Sequence, residues 1–311
     1  MKRIMNQVAG VLHIPALTIG AKTYHPGRLL MLLLSLVFLY SMMLLVDWIG
    51  WGQLLAFKSV LYEHRVELLQ YMAVGFVAQL IDGALGMAYG VSSTSFLLSL
   101  GLPPAAASAS VHLAEVFTTG FSGLAHLTFR NVSRKLLGRL ILPGMIGAAA
   151  GAYLLSSFDG DFMKPFISLY LLIMGGIIIR KALRKQSPAE QSTKNLGALA
   201  AFGGLVDAIG GGGWGPVVTT TLLGRGHHAR YVIGSVNTAE FFVALTSSIF
   251  FLLMLGSQPW LIVMGLVLGG LFSAPLAAWL CQRLKPRTLM LIVGTVIILL
   301  SLRTVFTSWV L

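Results

Sequence analysis

Residues 82–90 read Asp-Gly-Ala-Leu-Gly-Met-Ala-Tyr-Gly, and residues 207–216 read Asp-Ala-Ile-Gly-Gly-Gly-Gly-Trp-Gly-Pro. Both lie inside long apolar stretches, 68–100 and 196–224, and both hold too much glycine to continue a straight helix. Each predicts a helix that breaks and restarts. Irregular backbone at membrane depth is tolerated only where protein or a water-filled cavity surrounds it. The two stretches are therefore expected in the interior of a membrane protein, with each piece short for a full crossing.

A shift of 125 residues lays the first stretch on the second. Asp82 falls on Asp207, Gly86 on Gly211, Gly90 on Gly215 and Thr94 on Thr219. The match continues without a gap through Gly101 on Gly226, Ser110 on Ser235, Glu115 on Glu240 and Ser122 on Ser247. Leucine and glycine coincidences mean little in apolar sequence. Two acids recurring at one separation mean more, and they indicate an internal duplication.

Composition supports a membrane setting. Hydrophobic residues make up 56% of the 311 and charged residues 10%, against about 25% charged in a typical soluble domain. The net charge of +12 sits in short basic clusters between apolar runs, the pattern of membrane loops and not of a nucleic-acid surface. The single Cys281 leaves no disulfide framework and no zinc or haem spacing. No cofactor or metal is expected.

A spanning helix needs about 20 apolar residues. Residues 29–46 form the first candidate, with Trp48 and Trp51 as interface anchors, after a leader of 28 residues that lacks a signal-peptide cleavage pattern. Further segments fall near 105–129, 136–157, 163–183, 230–256, 260–282 and 287–308. The expected organisation within one membrane domain is 1–67, the leader, first crossing and outer loop; 68–183, a first repeat; 184–195, a polar linker; and 196–311, a second repeat.

Orientation follows from the positive charges. With the N-terminus inside, the four N-terminal Lys and Arg lie inside, with four at 130–139, five at 180–194, two at 225–230 and three at 283–287. That is 18 of the 22, as the positive-inside rule requires. Each half then holds one re-entrant hairpin and three crossings, an odd number, so the halves are inverted. The fold class expected is an all-α polytopic membrane protein of seven crossings and two hairpins, N-terminus inside and C-terminus outside. Inverted repeats with broken helices are a recurrent transporter plan.

The chemistry is expected at the tips. A helix starting after each break points its free N–H groups and positive dipole end at the membrane centre, an anion site needing no Lys or Arg. Its candidate residues are Gly83, Gly86 and Gly90 at one tip, and Gly211, Gly212, Gly213, Trp214 and Gly215 at the other. Thr94 with Ser95, and Thr219 with Thr220, could add hydroxyl donors, and Ser110 and Ser235 join the set. The alternative is that these glycines only make turns and close packing. Residues 210–215 also fit a dinucleotide-binding glycine pattern, without the strand and helix that would give it meaning.

Four of the ten acids, Asp82, Glu115, Asp207 and Glu240, lie in apolar surroundings. The aspartates could be helix caps; the glutamates lie within continuous helical segments and have no such role. His112 shares a helix face with Ser108, Glu115 and Thr119, and Asn237 stands where His112 stands in the other half. These acids are candidates for proton handling, since an apolar setting favours a neutral carboxyl group; a structural His–Glu hydrogen bond is the plainer alternative.

With these residues in hand, the chain resembles the sulfite exporter TauE/SafE family over about 70–310. The resemblance rests on "GLPPAAASAS" at 101–110, "SGLAHLTFRNV" at 122–132 and "GGGGWGP" at 210–216. The first tip departs from the family's triple glycine and carries Val91 where a proline often follows. The resemblance implies export of sulfite or an organosulfonate across a bacterial cytoplasmic membrane. The rival readings are a cation or proton exchanger using the buried acids and, from another class, an intramembrane enzyme. No lysine stands mid-segment for a retinal Schiff base.

Overall fold

The computed structural model describes residues 17–19, 22–24, 58–85, 87–183, 195–256, 259–283 and 286–310. The expected crossing at 29–46, the linker at 184–194 and Gly86 lie outside the described residues. Within the leader, two three-residue strands, β1 Leu17–Ile19 and β2 Lys22–Tyr24, pair antiparallel with Leu17 opposite Tyr24. They belong to a separate unit, residues 1–65.

The second unit, residues 66–311, is helical. The first hairpin consists of α1 Arg65–Leu85 and α2 Tyr89–Ser99. Three long helices follow: α3 Pro104–Thr128, α4 Arg134–Ser157 and α5 Gly160–Leu183. The second hairpin is α6 Leu196–Gly210, then a π-turn Gly215–Thr219 that runs into α7 Thr220–Gly224. The chain closes with α8 Ala229–Leu255, α9 Trp260–Arg283 and α10 Pro286–Val310. Element ends recur at the spacing read from the sequence. α1 ends at Leu85 and α6 at Gly210, while α3 starts at Pro104 and α8 at Ala229, each pair 125 apart.

One arm departs from expectation. α1 has 21 residues, about 31 Å at the usual helical rise, enough to cross alone. Arg65, Val66 and Glu67 carry it beyond the expected apolar start at residue 68. The other arms are short: α2 has 11 residues and α6 has 15, about 16 and 22 Å.

Among the described residues, four stretches are long and apolar enough to cross a membrane: Arg134–Ser157, Gly160–Leu183, Arg230–Leu255 and Met290–Thr307. α3 matches them in length at 25 residues, but it turns a polar stripe inward, with Ser108, His112, Glu115 and Thr119 all buried. Large apolar side chains face outward instead: Phe121, Leu142, Leu253 and Phe272 are each more than 60% exposed. Exposed apolar surface on this scale calls for a lipid cover.

The helices approach one another through glycine. A Cβ on Gly204 of α6 would strike the Gly144 carbonyl of α4, and one on Gly151 of α4 would strike the Leu205 backbone of α6. α1 meets α9 in the same manner, Gly75 against the Leu266 backbone and Gly269 against the Met72 carbonyl. Lipid is as apolar as leucine, so dispersion across such close contacts is a main source of helix association. Gly204→Val is expected to part α4 from α6 and lower the melting temperature in detergent, by the roughly 1–3 kcal/mol of an overpacked core. Gly138→Ala, at a position facing open space, is the comparison and should leave melting unchanged.

Candidate functional site

A helix that breaks leaves backbone N–H groups without partners, and here an aspartate supplies one in each hairpin. Asp82 Oδ1 accepts from Tyr89 N at 3.3 Å, and Asp207 Oδ1 accepts from Trp214 N at 2.8 Å. Each bond spans seven residues and the two lie 125 apart. In both cases the aspartate sits near the end of the first arm and caps the second across the break. Backbone conformation makes the gap possible: Ala88 adopts φ 99° before α2, and Gly211 and Gly212 adopt φ 64° and 150°. Trp214 is fully buried, and its indole Nε1 donates to the Val236 carbonyl at 3.0 Å.

The two tips touch. A Cβ on Gly90 would lie 2.6 Å from Gly212 Cα and 2.9 Å from Glu115 Oε1. One on Gly215 would lie 3.0 Å from Met87 Cβ. Thr94 Oγ1 donates to the Gly211 carbonyl at 2.5 Å, joining the first hairpin to the second. Only glycine admits this approach of backbone to backbone.

The buried polar stripe of α3 lies against this junction. Ser108 Oγ donates to the Ala208 carbonyl at 2.6 Å. His112 Nδ1 lies 2.8 Å from its own helix's Ser108 carbonyl, and Nε2 lies 3.1 Å from Asp207 Oδ2. A carbonyl only accepts, so Nδ1 carries a proton. Nε2 and Oδ2 then share one more, as imidazolium with carboxylate or as neutral imidazole with carboxylic acid. The pair is neutral in sum either way. Glu115 is 2% exposed, and its Oε2 has no hydrogen-bond partner. Asp207, Glu240 and Asp82 all lie within electrostatic reach of it.

The structure distributes the other candidates unevenly. Ser95 Oγ and Ser110 Oγ bond back to their own helices, at Val91 O and Ala106 O, and Thr220 Oγ1 does the same at Pro216 O. Thr219 is buried in the π-turn. Ser235 is drawn to another place, where it accepts from Ser133 N at 2.8 Å. Asn237 keeps a buried Oδ1 without a partner. Gly83 lies within α1, and Gly86 is outside the described residues.

Three groups at the junction escape a reading of the sequence. Tyr170 on α5 donates to the Gly212 carbonyl at 2.7 Å, its ring filling the space left by Gly210 and Gly213. Ser92 on α2 is buried with an unpartnered hydroxyl. Lys181, near the end of α5, points its Nζ at Met87 Sδ, 3.2 Å away, so a cation does approach the first tip. A thioether is a weak acceptor for an ammonium group. Nothing in the residues around Tyr170 or Lys181 marks them, because only the fold of α5 against the tips gives them a role.

A multi-pass helical protein whose broken helices meet inside it, beside buried ionisable side chains, is built as a membrane transporter and not as an enzyme. The family model of the sulfite exporter TauE/SafE matches residues 71–304, and the chain belongs to that family. A relative from Bacillus subtilis (strain 168), "Probable membrane transporter protein YtnM", is 46% identical over 253 residues, covering 78% of this chain and 84% of its own. No solved structure matches.

Asp207 serves two partners, which makes its substitutions informative. Asp207→Asn can keep both contacts, its amide oxygen on Trp214 N and its NH2 on a neutral His112 Nε2. Asp207→Ala strands both, and breaking a buried pair costs on the order of 3–5 kcal/mol. Asp207→Asn is therefore expected to melt within a few degrees of wild type in detergent and Asp207→Ala well below both.

Proposed function

We propose that this protein is a secondary transporter that exports a small sulfur-containing anion, sulfite or an organosulfonate, across a bacterial cytoplasmic membrane. In this reading the chain is two inverted repeats, 68–183 and 196–311, after an extra N-terminal crossing, with its N-terminus in the cytoplasm and its C-terminus outside. The duplicated aspartate cap supports the repeat reading, because the same bond recurs at the offset that aligns the sequences. An inside-negative potential helps an anion leave, by about 2.3 kcal/mol per charge for each 100 mV.

The observation that carries the proposal is the contact between the tips, Gly90 against Gly212, with Glu115 beside them. Two helices that start at this junction turn positive dipole ends toward it, and Lys181 adds a full charge at the first tip. For an anion to pass, the tips must part. Hydroxyls at Ser92 and Thr94 and the backbone N–H groups at both breaks would then meet the anion, while Glu115 and Glu240 take up and release protons. A protonated glutamate neither repels the anion nor leaves a buried charge uncompensated.

The rival reading is a cation exchanger. It draws on the donor atoms of His112, Glu115 and Asp207, which lie within 4.8 Å of one another. Proteoliposomes separate the two. Radiolabelled sulfite and short alkanesulfonates should move down a gradient, faster with an aiding potential, while sodium and divalent cations do not. Glu115→Gln with Glu240→Gln should remove the response to a pH step while the protein stays folded. Lys181→Gln should weaken anion affinity about tenfold, the equivalent of one lost charge contact worth roughly 1.4 kcal/mol. Cation flux without anion flux would favour the rival; normal transport by the double glutamate variant at every pH would end the proton role.

A further inference from the structure

At the end of the molecule away from the tips, a cavity of about 260 Å³ opens between the loop before α4 and the two feet of the second hairpin. Leu196 begins α6, and His227 with His228 follows α7. Ser133, Lys135, Arg139, His227, His228 and Tyr231 form its polar wall, and among the described residues no acid lines it. Leu136, Leu196 and Val232, all buried, form an apolar floor.

The backbone adds to this charge. Ser133 caps the start of α4, accepting from Leu136 N, and His228 stands at the cap position of α8. Asn195 stands at that of α6. Three helix starts thus line one cavity with their positive ends, alongside two permanent cations. The wall is also tied together: Ser133 N donates to Ser235, and Arg230 holds Asn131 Oδ1 at 2.6 Å and the Phe129 carbonyl at 3.0 Å. Ser235, itself fully buried, thus braces this wall from behind. A merely topological basic loop needs neither a cavity nor converging helix starts.

We propose that this cavity is an oxyanion-binding site, distinct from the tips, that takes a sulfonate- or phosphate-type group with a short apolar neighbour. α6, 15 residues long, separates it from the tip by about 22 Å, so one anion cannot touch both places. The inference rests on the exporter reading for its role. On the cytoplasmic side it would capture the anion at the foot of the hairpin whose tip later holds it. The same chemistry fits the headgroup of an anionic lipid, and the experiment separates the two sources.

Purified wild type and Lys135→Gln/Arg139→Gln would be reconstituted in phosphatidylcholine nanodiscs and melted with sulfite, methanesulfonate or inorganic phosphate. The same melts would be run with phosphatidylglycerol in place of the free anions. A capture site predicts that free oxyanions raise the wild-type melting temperature and that the double variant loses at least most of that rise. In inside-out vesicles it also predicts a KM about tenfold higher with kcat unchanged, from roughly 1.4 kcal/mol of lost attraction. Stabilisation by phosphatidylglycerol alone, lost in the double variant, assigns the cavity to lipid and overturns the capture role. Equal responses of wild type and double variant to every anion overturn the site itself. Lys164→Gln, which removes a charge at the other end of α5 from Lys181, controls for net charge. The melts need no transport, so they can succeed even if the exporter reading fails.

Discussion

A helix cannot simply stop inside a membrane. Its unsatisfied N–H groups would face hydrocarbon at several kcal/mol each, and the protein has to supply what water cannot. Asp82 and Asp207 do so, each bonding the first N–H of the arm beyond its break. Much of the interior is built around that requirement. His112 must stand near Asp207, so that the pair is neutral in sum, and Ser108 must reach the Ala208 carbonyl. Thr94 and Tyr170 take the carbonyls of Gly211 and Gly212. The break that a soluble protein would place in a surface loop becomes here a junction tied by hydrogen bonds from α2, α3 and α5.

This solution narrows what the tips can do. Carboxyl groups already sit at the two positive helix ends, so the proposed anion site is not an open pair of helix starts as the glycine pattern alone suggests. It is a closed junction, joined by the Thr94 hydroxyl to the Gly211 carbonyl and by the close backbone contact of Gly90 with Gly212. Any anion admitted there exchanges with contacts the protein makes to itself, and it enters beside Glu115, whose Oε2 lacks a partner. Protonation is the natural way to make such a place hospitable to a negative charge, because the neutral acid is also a donor.

The long helices were legible because membrane thickness fixes their length and hydrocarbon fixes their composition; α3 to α5 and α8 to α10 start and end within a few residues of their apolar limits. The breaks were legible from glycine, and their pairing from the spacing of Asp and Glu. The capping role of the aspartates was half legible: a residue type suited to capping was clear, but not that each would cap across its loop. Tyr170, Ser92 and Lys181 were not legible. Their roles depend on α5 and α2 packing at the junction; a lone Tyr in an apolar run reads as ordinary core, and within Ser92-Ser93-Thr94-Ser95 nothing singles out Ser92. α1 was underestimated because polar residues such as Glu67 extend a helix without adding apolar signal.

If the anion passes where the two tips meet, a reversible lock across that contact should stop it. With Cys281 replaced by serine, Met87→Cys and Gly215→Cys would place two thiols across the contact; their Cβ atoms would start 3.0 Å apart, and a small parting of the tips brings them to the roughly 3.5–4.5 Å of a disulfide. Flux of a radiolabelled alkanesulfonate, which unlike sulfite does not cleave disulfides, would be followed in proteoliposomes. Oxidation is expected to stop flux, and a phosphine reductant to restore it. Undiminished flux through protein shown by mass spectrometry to be fully cross-linked would contradict passage at that contact.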